Sequence, residues 1–280
     1  MRKLIQKLSN KIYFSKTIKN FFEYNRSFGI SYKDFVRLKK FPMQATNDDV
    51  VNLFNKKIEF SSPFWFLHSL QEIFVDEVYK FIPSKENHLI LDCGANIGLS
   101  TIYLKHIFPN SKIIAYEPDQ KVFAQLKNNL NQFNYSDIEL QNKAIWIKDG
   151  YINFLSEGAL GGKIDKKPNQ NNLTETVSLK KILQNNNVFF LKMDIEGAEY
   201  EVLKDIKDEI KKVENLFIEF HVEKNEENHL AELLHMIDQA GFTYYIKDAW
   251  NNMKHPFTKN NIGGFHLQLN IFCYRTLTKN

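Results

Sequence analysis

Cysteine is scarce: the 280-residue chain has two, Cys93 and Cys273, both in apolar, strand-like runs. That excludes a disulfide framework and leads to the expectation of a reducing, cytoplasmic setting. Long apolar runs are missing too. No window of about 18 continuous apolar residues occurs, which excludes a membrane-spanning helix. The basic N-terminus is not followed by an apolar segment, so it does not read as a secretory signal. No internal repeat is present. Two nucleotide fingerprints are also absent: the Gly-x-Gly-x-x-Gly of dinucleotide enzymes, and the Lys-Ser/Thr sequel that would make a glycine turn a phosphate-binding loop.

What is present is ordinary in bulk and uneven in detail. An apolar share of 43% with 25% charged residues suits a soluble globular protein, and the length suits one large domain or a domain with an appended subdomain. The net charge of +4 is not spread evenly. Residues 1–40 hold 11 Lys or Arg against Glu23 and Asp34, a charge of +9, while the rest holds 26 basic and 31 acidic residues, a charge of −5. Eight aromatics interleave with the N-terminal charges, among them Tyr13, Phe14, Phe21, Phe22 and Phe28. Such a stretch reads either as a surface for an anionic membrane, a phosphorylated lipid or a nucleic acid, or as a solvated helical subdomain that buries its aromatic face.

Residues 1–83 are expected to form a helical N-terminal region. Residues 1–41 look helical with Pro42 as a stop, and 47–57 and 64–82 are two further helical candidates. The last carries Phe66, Leu67, Leu70, Phe74, Val75 and Val78 at spacings near three and four and ends at Pro83-Ser84. From 84 to 280 the pattern changes. Apolar runs at 88–91, 112–117, 138–144, 188–194, 215–220, 242–246 and 267–274 are separated mostly by helical segments at 99–108, 120–133, 197–213 and 226–240. That alternation predicts an α/β fold with a doubly wound, mostly parallel sheet. The last two runs are joined by a loop, roughly 248–266, with no helix, so they are expected to pair antiparallel. Asn-rich loops cover 166–173, 185–187 and 250–261.

The turn Asp92-Cys93-Gly94-Ala95-Asn96-Ile97-Gly98 closes the first strand. Glycine lets a backbone come close to a partner, and a helix starting there offers unpaired N–H groups. In an open α/β sheet this is where ligands bind. Glu117 ends the second strand 23 residues after Gly94, where a carboxylate can accept both hydroxyls of a ribose. Its other reading is an exposed strand-end acid in a turn with Pro118 and Asp119. No basic residue for a 2′-phosphate stands beside it.

Five segments, LDCGANIGLSTIYL, IIAYEPD, NKAIW, FFLKMDIEGAEYEVL and LFIEFH, occur in this order. The set, spanning about residues 72–222, resembles the FkbM family of S-adenosylmethionine-dependent methyltransferases. The resemblance implies a seven-stranded class I methyltransferase sheet, Rossmann-like with an antiparallel last strand, and S-adenosylmethionine as the methyl donor. It places Glu117 on the ribose and the Gly94–Gly98 turn under the methionine and ribose. Asp92, Asn96, Ser100, Pro118, Asn142, Ala144 and Asp194 would complete the donor site, with Glu72 reaching the methionine end.

The fourth strand runs into Asp194-Ile195-Glu196-Gly197, where enzymes that methylate amino groups of bases often carry Asn/Asp-Pro-Pro-aromatic. The difference points to a hydroxyl acceptor, which needs a base for its proton. The candidates are Asp194, Glu196, Glu219 and His221. Glu219 and His221 lie two apart on the fifth strand and face one side. His221 reads either as a base near neutrality or as a strand-end histidine bonded to a loop carbonyl. Asp194, Glu219 and His221 could also hold Mg2+ or Mn2+ through two oxygens and a nitrogen, although strand-end acids also cap helices or pair with lysines. Glu196 and Glu199 fall where a first helical turn favours acids. The expected activity is O-methylation. The resemblance implies a sugar hydroxyl in a cell-surface glycan, lipopolysaccharide or glycolipid, and the basic, aromatic residues 1–40 would then help dock a lipid-linked or phosphorylated intermediate at the inner membrane face. An RNA methyltransferase, supported only by the N-terminal charge, and a non-catalytic donor-binding subunit remain as alternatives. No DNA partner is expected.

Overall fold

In the computed structural model the described residues are 19–82, 86–155, 163–164, 173–251, 253, 255–258 and 264–275. The chain enters through two short helices, α1 (19–28) and α2 (Tyr32–Leu38), the second capped by the Ser31 hydroxyl, which accepts from the Asp34 N–H. Tyr24, Phe28 and Phe35 turn inward and are buried. Of the other aromatics named in this stretch, Phe22 is exposed, and Tyr13 and Phe14 lie outside the described residues.

The helix expected over 47–57 is a β-hairpin instead, β1 (Asp49–Leu53) paired antiparallel with β2 (Lys56–Phe60). Burial alternates, with Val51, Leu53, Ile58 and Phe60 inside. The period is two, not 3.6. Phe54 and Asn55, both at positive φ (54° and 61°), form the two-residue turn whose twist suits a hairpin. The helix expected over 64–82 is shorter. α3 (Pro63–Leu70) starts with proline in its first turn and runs into a single π turn, Gln71–Val75, where it stops. The proposed stop at Pro83-Ser84 lies outside the described residues. The π turn carries Glu72 over the sheet, where the Asn270 side-chain N–H donates to it at 2.7 Å.

The sheet is built from β3 (Leu89–Cys93), β4 (Lys112–Tyr116), β5 (Ile138–Gln141), β10 (Val188–Met193), β11 (Val213–Val222), β12 (Thr243–Trp250) and β13 (Leu267–Tyr274). Between them run α4 (Leu99–Ile107), α5 (Gln120–Asn131), α6 (Leu179–Asn185), α7 (Glu199–Asp205) and α8 (Asn228–Gln239). The strand order is β12-β13-β11-β10-β3-β4-β5. Neighbours from β11 through β5 are parallel, and β13 inserts antiparallel to both β11 and β12. This is the doubly wound seven-stranded sheet with an antiparallel last strand that the pattern and the resemblance implied.

One expected strand, 138–144, is broken. Asn142 donates from its side chain to the carbonyls of Glu117 and Pro118 (2.8 and 3.2 Å) and turns the chain out of the sheet. Residues beyond it start a second sheet, absent from the sequence reading, of β6 (Ala144–Trp146), β7 (Gly150–Leu155), β8 (Lys163–Ile164) and β9 (Leu173–Ser178) in the order β6-β9-β7-β8. Most of the 166–173 loop lies outside the described residues. The helix expected over 197–213 also shortens to α7, followed by turns and a 3-10 turn at Ile210–Lys212.

Two apolar clusters hold the layers together. One joins the N-terminal helices and hairpin to the sheet and α4–α5, through Phe35, Leu53, Phe60, Leu70, Ile90, Leu104, Ile113 and Leu126. The other lies around Leu191, Leu203, Ile218, Leu233 and Ile271. Truncating a side chain as buried as Phe35 or Phe60 typically costs about 3–5 kcal/mol. Among the described residues no helix is long and apolar enough to cross a membrane.

Candidate active site

A cleft of about 360 Å³ opens over the carboxyl ends of β4, β3, β10 and β11 and reaches the end of β12, a size usual for small-ligand sites. Its floor is the turn after β3. Gly94 and Ala95 both donate to the Tyr116 carbonyl (3.0 and 2.9 Å), and Asp194 donates from its backbone to Cys93. Gly94 is at φ 82°, and a Cβ there would stand 1.7 Å from the Asp194 carbonyl oxygen. The close approach that this glycine permits is therefore to the neighbouring strand end.

Glu117 ties the turn to β4. One carboxylate oxygen accepts from the Asn96 N–H (3.0 Å) and the other from the Asp119 N–H (2.9 Å). Burial pushes its pKa up to about 7 against the pull of those two bonds. Further donors, such as two hydroxyls, would favour the charged form. Asp92 is fully buried and accepts from the hydroxyls of Ser100 (2.6 Å) and Thr101 (2.7 Å), locking the start of α4 to β3.

A cluster of carboxyl groups meets at the ends of β10 and β11. Asp194, Glu219 and His221 offer ligand atoms within 4.8 Å of one another. His221 Nδ1 lies 3.1 Å from Glu199, and its Nε2 lies 3.6 Å from both Glu196 and Glu219. Burial works against the imidazolium, but Glu196 and Glu199 outweigh it, and the pKa of His221 is raised well above the ordinary 6.5. The surrounding carboxyl groups thus favour its charged form. Its partners are carboxyl groups rather than a loop carbonyl. Glu199 is fully buried and accepts from the Ile195 and Gly197 N–H groups, closing the turn ahead of α7 while it orients His221. Glu196, at φ 55°, is pushed up to about 8 by burial, and Asp194 and Glu219 reinforce the rise against the pull of His221. Glu219 is raised by burial and by Asp194.

Lys192 is the residue the sequence reading missed. It is the one charge in the buried run VFFLKM, which was the available signal. Its Nζ donates to the Gly94 carbonyl (2.7 Å) and to Asp194 (3.2 Å) and lies 3.5 Å from Asp92. Burial opposes its charge, but Asp194 and Asp92 more than offset that and raise its pKa. Glu72, Asp92, Asp194, Glu196, Glu199 and Glu219 thus crowd around two cations, Lys192 and His221, six acids against two bases and a charge of −4 when all are ionised. Such a surplus favours a bound cation.

Glu72 supplies a test of this field. Burial, then Glu219, raises its pKa from 4.5 to about 7. The folded state holds this proton more tightly than the unfolded one, so the stabilisation is complete below the ordinary value and is lost as pH rises through about 7. Glu72→Gln keeps an acceptor for Asn270 without the charge. It is expected to melt above the parent protein at about pH 8, with the gap closing by about pH 5. A gap that is the same at both pH values would show that Glu72 carries no such penalty.

The cleft gathers most of the expected site residues. Glu117, Pro118 and Ala144 stand on the β4 side, Gly94, Asn96 and Ser100 at the centre, and Glu72, Asp194, Glu196 and Glu219 on the β11 side. Asp92, Gly98, Asn142 and His221 lie behind the lining and hold its parts in place. Unforeseen members of the wall are Tyr79, buried beside Glu72, and the rings of Trp65, His68 and Trp250.

The model of the methyltransferase FkbM domain matches residues 92–244, more than half of the chain. Methyltransferase 1 of Beauveria bassiana is 26% identical, over 51% of this chain and 68% of that protein. Methyltransferase sdnD of Sordaria araneosa is 42% identical over 21% of this chain and 23% of its own length. Among solved structures, M. jannaschii TYW2 in complex with AdoMet aligns with a TM-score of 0.47 at 12% identity, over 82% of this chain and 88% of that one.

Proposed function

The chain belongs to the FkbM methyltransferase family, and on that premise we propose that it methylates a hydroxyl group of a sugar in a surface glycan, lipopolysaccharide or glycolipid, with S-adenosylmethionine as donor. When bound, the donor supplies an electrophilic methyl group on a positively charged sulfur. The cleft suits it: Glu117 offers a carboxylate to a ribose, and the surplus negative charge around Asp194 and Glu219 favours a sulfonium.

The observation that carries the hydroxyl reading is Glu219. Its carboxyl projects from a rigid strand into the cleft beside Asp194, and burial raises its pKa above the ordinary 4.5. A base with a pKa raised toward neutrality is a better proton acceptor at working pH. As the acceptor oxygen bonds to the methyl carbon, its proton passes to Glu219. The methyl–sulfur bond breaks and its electron pair stays on sulfur. His221, held by Glu199 at 3.1 Å, lies 3.6 Å from the Glu219 carboxylate and positions it.

Asp194, Glu219 and His221 would also suit a hard divalent ion by their donor set. Lys192 lies 3.2 Å from Asp194 and His221 Nε2 3.6 Å from Glu219, so chelation decides between these cations and a metal ion. The acceptor is taken to be lipid-linked, docked by the basic N-terminus. Removing residues 1–40 would strip Phe28, Ile30 and Phe35 from the core. The cleaner probe is to neutralise Arg2, Lys3, Lys7, Lys11 and Lys16. Unchanged binding to anionic vesicles would reject the docking role.

The central experiment supplies methyl-labelled S-adenosylmethionine with separate envelope-glycan, RNA and small-metabolite extracts, before and after exhaustive chelation. Label in the glycan, undiminished by chelation, is expected. Label in RNA would overturn the substrate class, and activity restored only by Mg2+ or Mn2+ would reassign Asp194, Glu219 and His221 as ligands.

A further inference from the structure

The end of the cleft away from Glu117 is aromatic. Trp250 closes β12 at the far edge of the sheet, and Trp65 on α3 meets it with ring centroids 4.9 Å apart. His68, one turn on, lies 5.5 Å from Trp65 and 5.4 Å from Trp250. The rings meet at 56°, 75° and 69°, so none covers another face to face. All three are only half-buried and line the cleft, unlike the aromatics of the core. Among the described residues, neither indole N–H nor either His68 ring nitrogen has a hydrogen-bond partner. Burial lowers the pKa of His68, which keeps that ring neutral.

Phe64 packs edge-on against both indoles, and half-buried rings that line a cleft and keep unused polar edges suit a ligand that is apolar on its ring face and hydroxylated at its rim. A nucleobase would stack as well, but it brings phosphates into a cleft lined by the carboxyl groups of Glu72, Asp194, Glu196 and Glu219. A lipid chain would leave the polar edges unused. We propose that Trp65, His68 and Trp250 form the acceptor subsite and hold a neutral pyranose ring against the indole faces, with its hydroxyl rim turned toward the carboxyls at β10 and β11. This rests on the sugar-methylation reading above. It explains why a helix outside the sheet supplies part of the cleft: the site is complete only where α3 meets the end of β12.

The chain has three tryptophans, and Trp65 and Trp250 are two of them, so fluorescence reads the subsite directly. With S-adenosylhomocysteine present, methyl hexopyranosides are expected to quench saturably and the open-chain polyol mannitol is not. Trp146→Phe should leave the quench in place. Trp250→Ala should weaken pyranoside binding and raise the KM for labelled glycan by about tenfold or more, with the donor affinity unchanged and most of the loss restored in Trp250→Phe. The unchanged donor affinity shows that the variant is folded. Equal quenching by mannitol, no saturation, or an unchanged glycan KM in Trp250→Ala would overturn the subsite while leaving sugar methylation standing. An absence of glycan labelling by the parent protein would overturn both.

Discussion

Gly94→Ala is expected to abolish donor binding and to lower the melting temperature sharply. The added methyl would stand 1.7 Å from the Asp194 carbonyl oxygen, which is backbone and cannot swing aside. The junction between β3 and β10 must open, and with it the Lys192 bonds to Gly94 and Asp194. Strain from a left-handed alanine adds about 1 kcal/mol. Together these should cost roughly 3 kcal/mol or more, a fall of roughly 6–12 °C in Tm, and a donor affinity down by over about 100-fold. Gly241→Ala is the control. It has a similar φ of 78°, but its nearest neighbour, the Arg275 guanidinium at 3.4 Å, stands at about ordinary contact distance, so only the strain of about 1 kcal/mol is expected. Thermal melts and calorimetric titration with S-adenosylhomocysteine measure both. If Gly94→Ala melts and binds like Gly241→Ala, the contact between the strand ends does not hold the site together.

Glu219→Gln is expected to lower kcat by about 10²- to 10⁴-fold, the usual worth of a positioned base, with donor affinity within about threefold of the parent. Glu219 is raised above the ordinary glutamate value, and a base acts only when deprotonated. The parent activity should therefore fall as pH drops through that raised pKa, on a limb lying above 4.5, and the variant should lack the limb. Asp194→Asn should behave differently. It detaches Lys192 and so weakens donor binding as well as turnover. Rate–pH profiles under single-turnover conditions separate the two. A Glu219→Gln enzyme that keeps kcat within about threefold would move the base to Glu196 or Asp194.

Much of this was legible before any coordinates. Alternating apolar runs and helical segments announced the sheet, and a loop without a crossover helix announced the antiparallel β13. The spacing from Gly94 to Glu117 placed both at adjacent strand ends. These features are local, since each depends on periodicity or on the reach of one strand–turn–helix unit. Where a local signal was ambiguous, tertiary packing chose. Residues 47–57 became a hairpin because one face of it could pack against the sheet's first cluster, and 138–144 broke because Asn142 found carbonyls of the β4 turn.

The chemistry of the site belongs mostly to the tertiary structure. From the sequence, His221 was a histidine near an acid. Its raised pKa follows from three carboxyl groups brought by β11, α7 and the loop before it. Lys192 was one polar letter in an apolar run, and its partners come from β3 and from the turn after β10. Trp65 and Trp250 carry no shared motif and meet only because α3 folds over the far edge of the sheet. The sequence by itself determined the family, the sheet and which carboxylates stand at strand ends. The fold decided their protonation and the wall facing them, because electrostatic energy and shape are sums over neighbours that the chain brings together only when it closes.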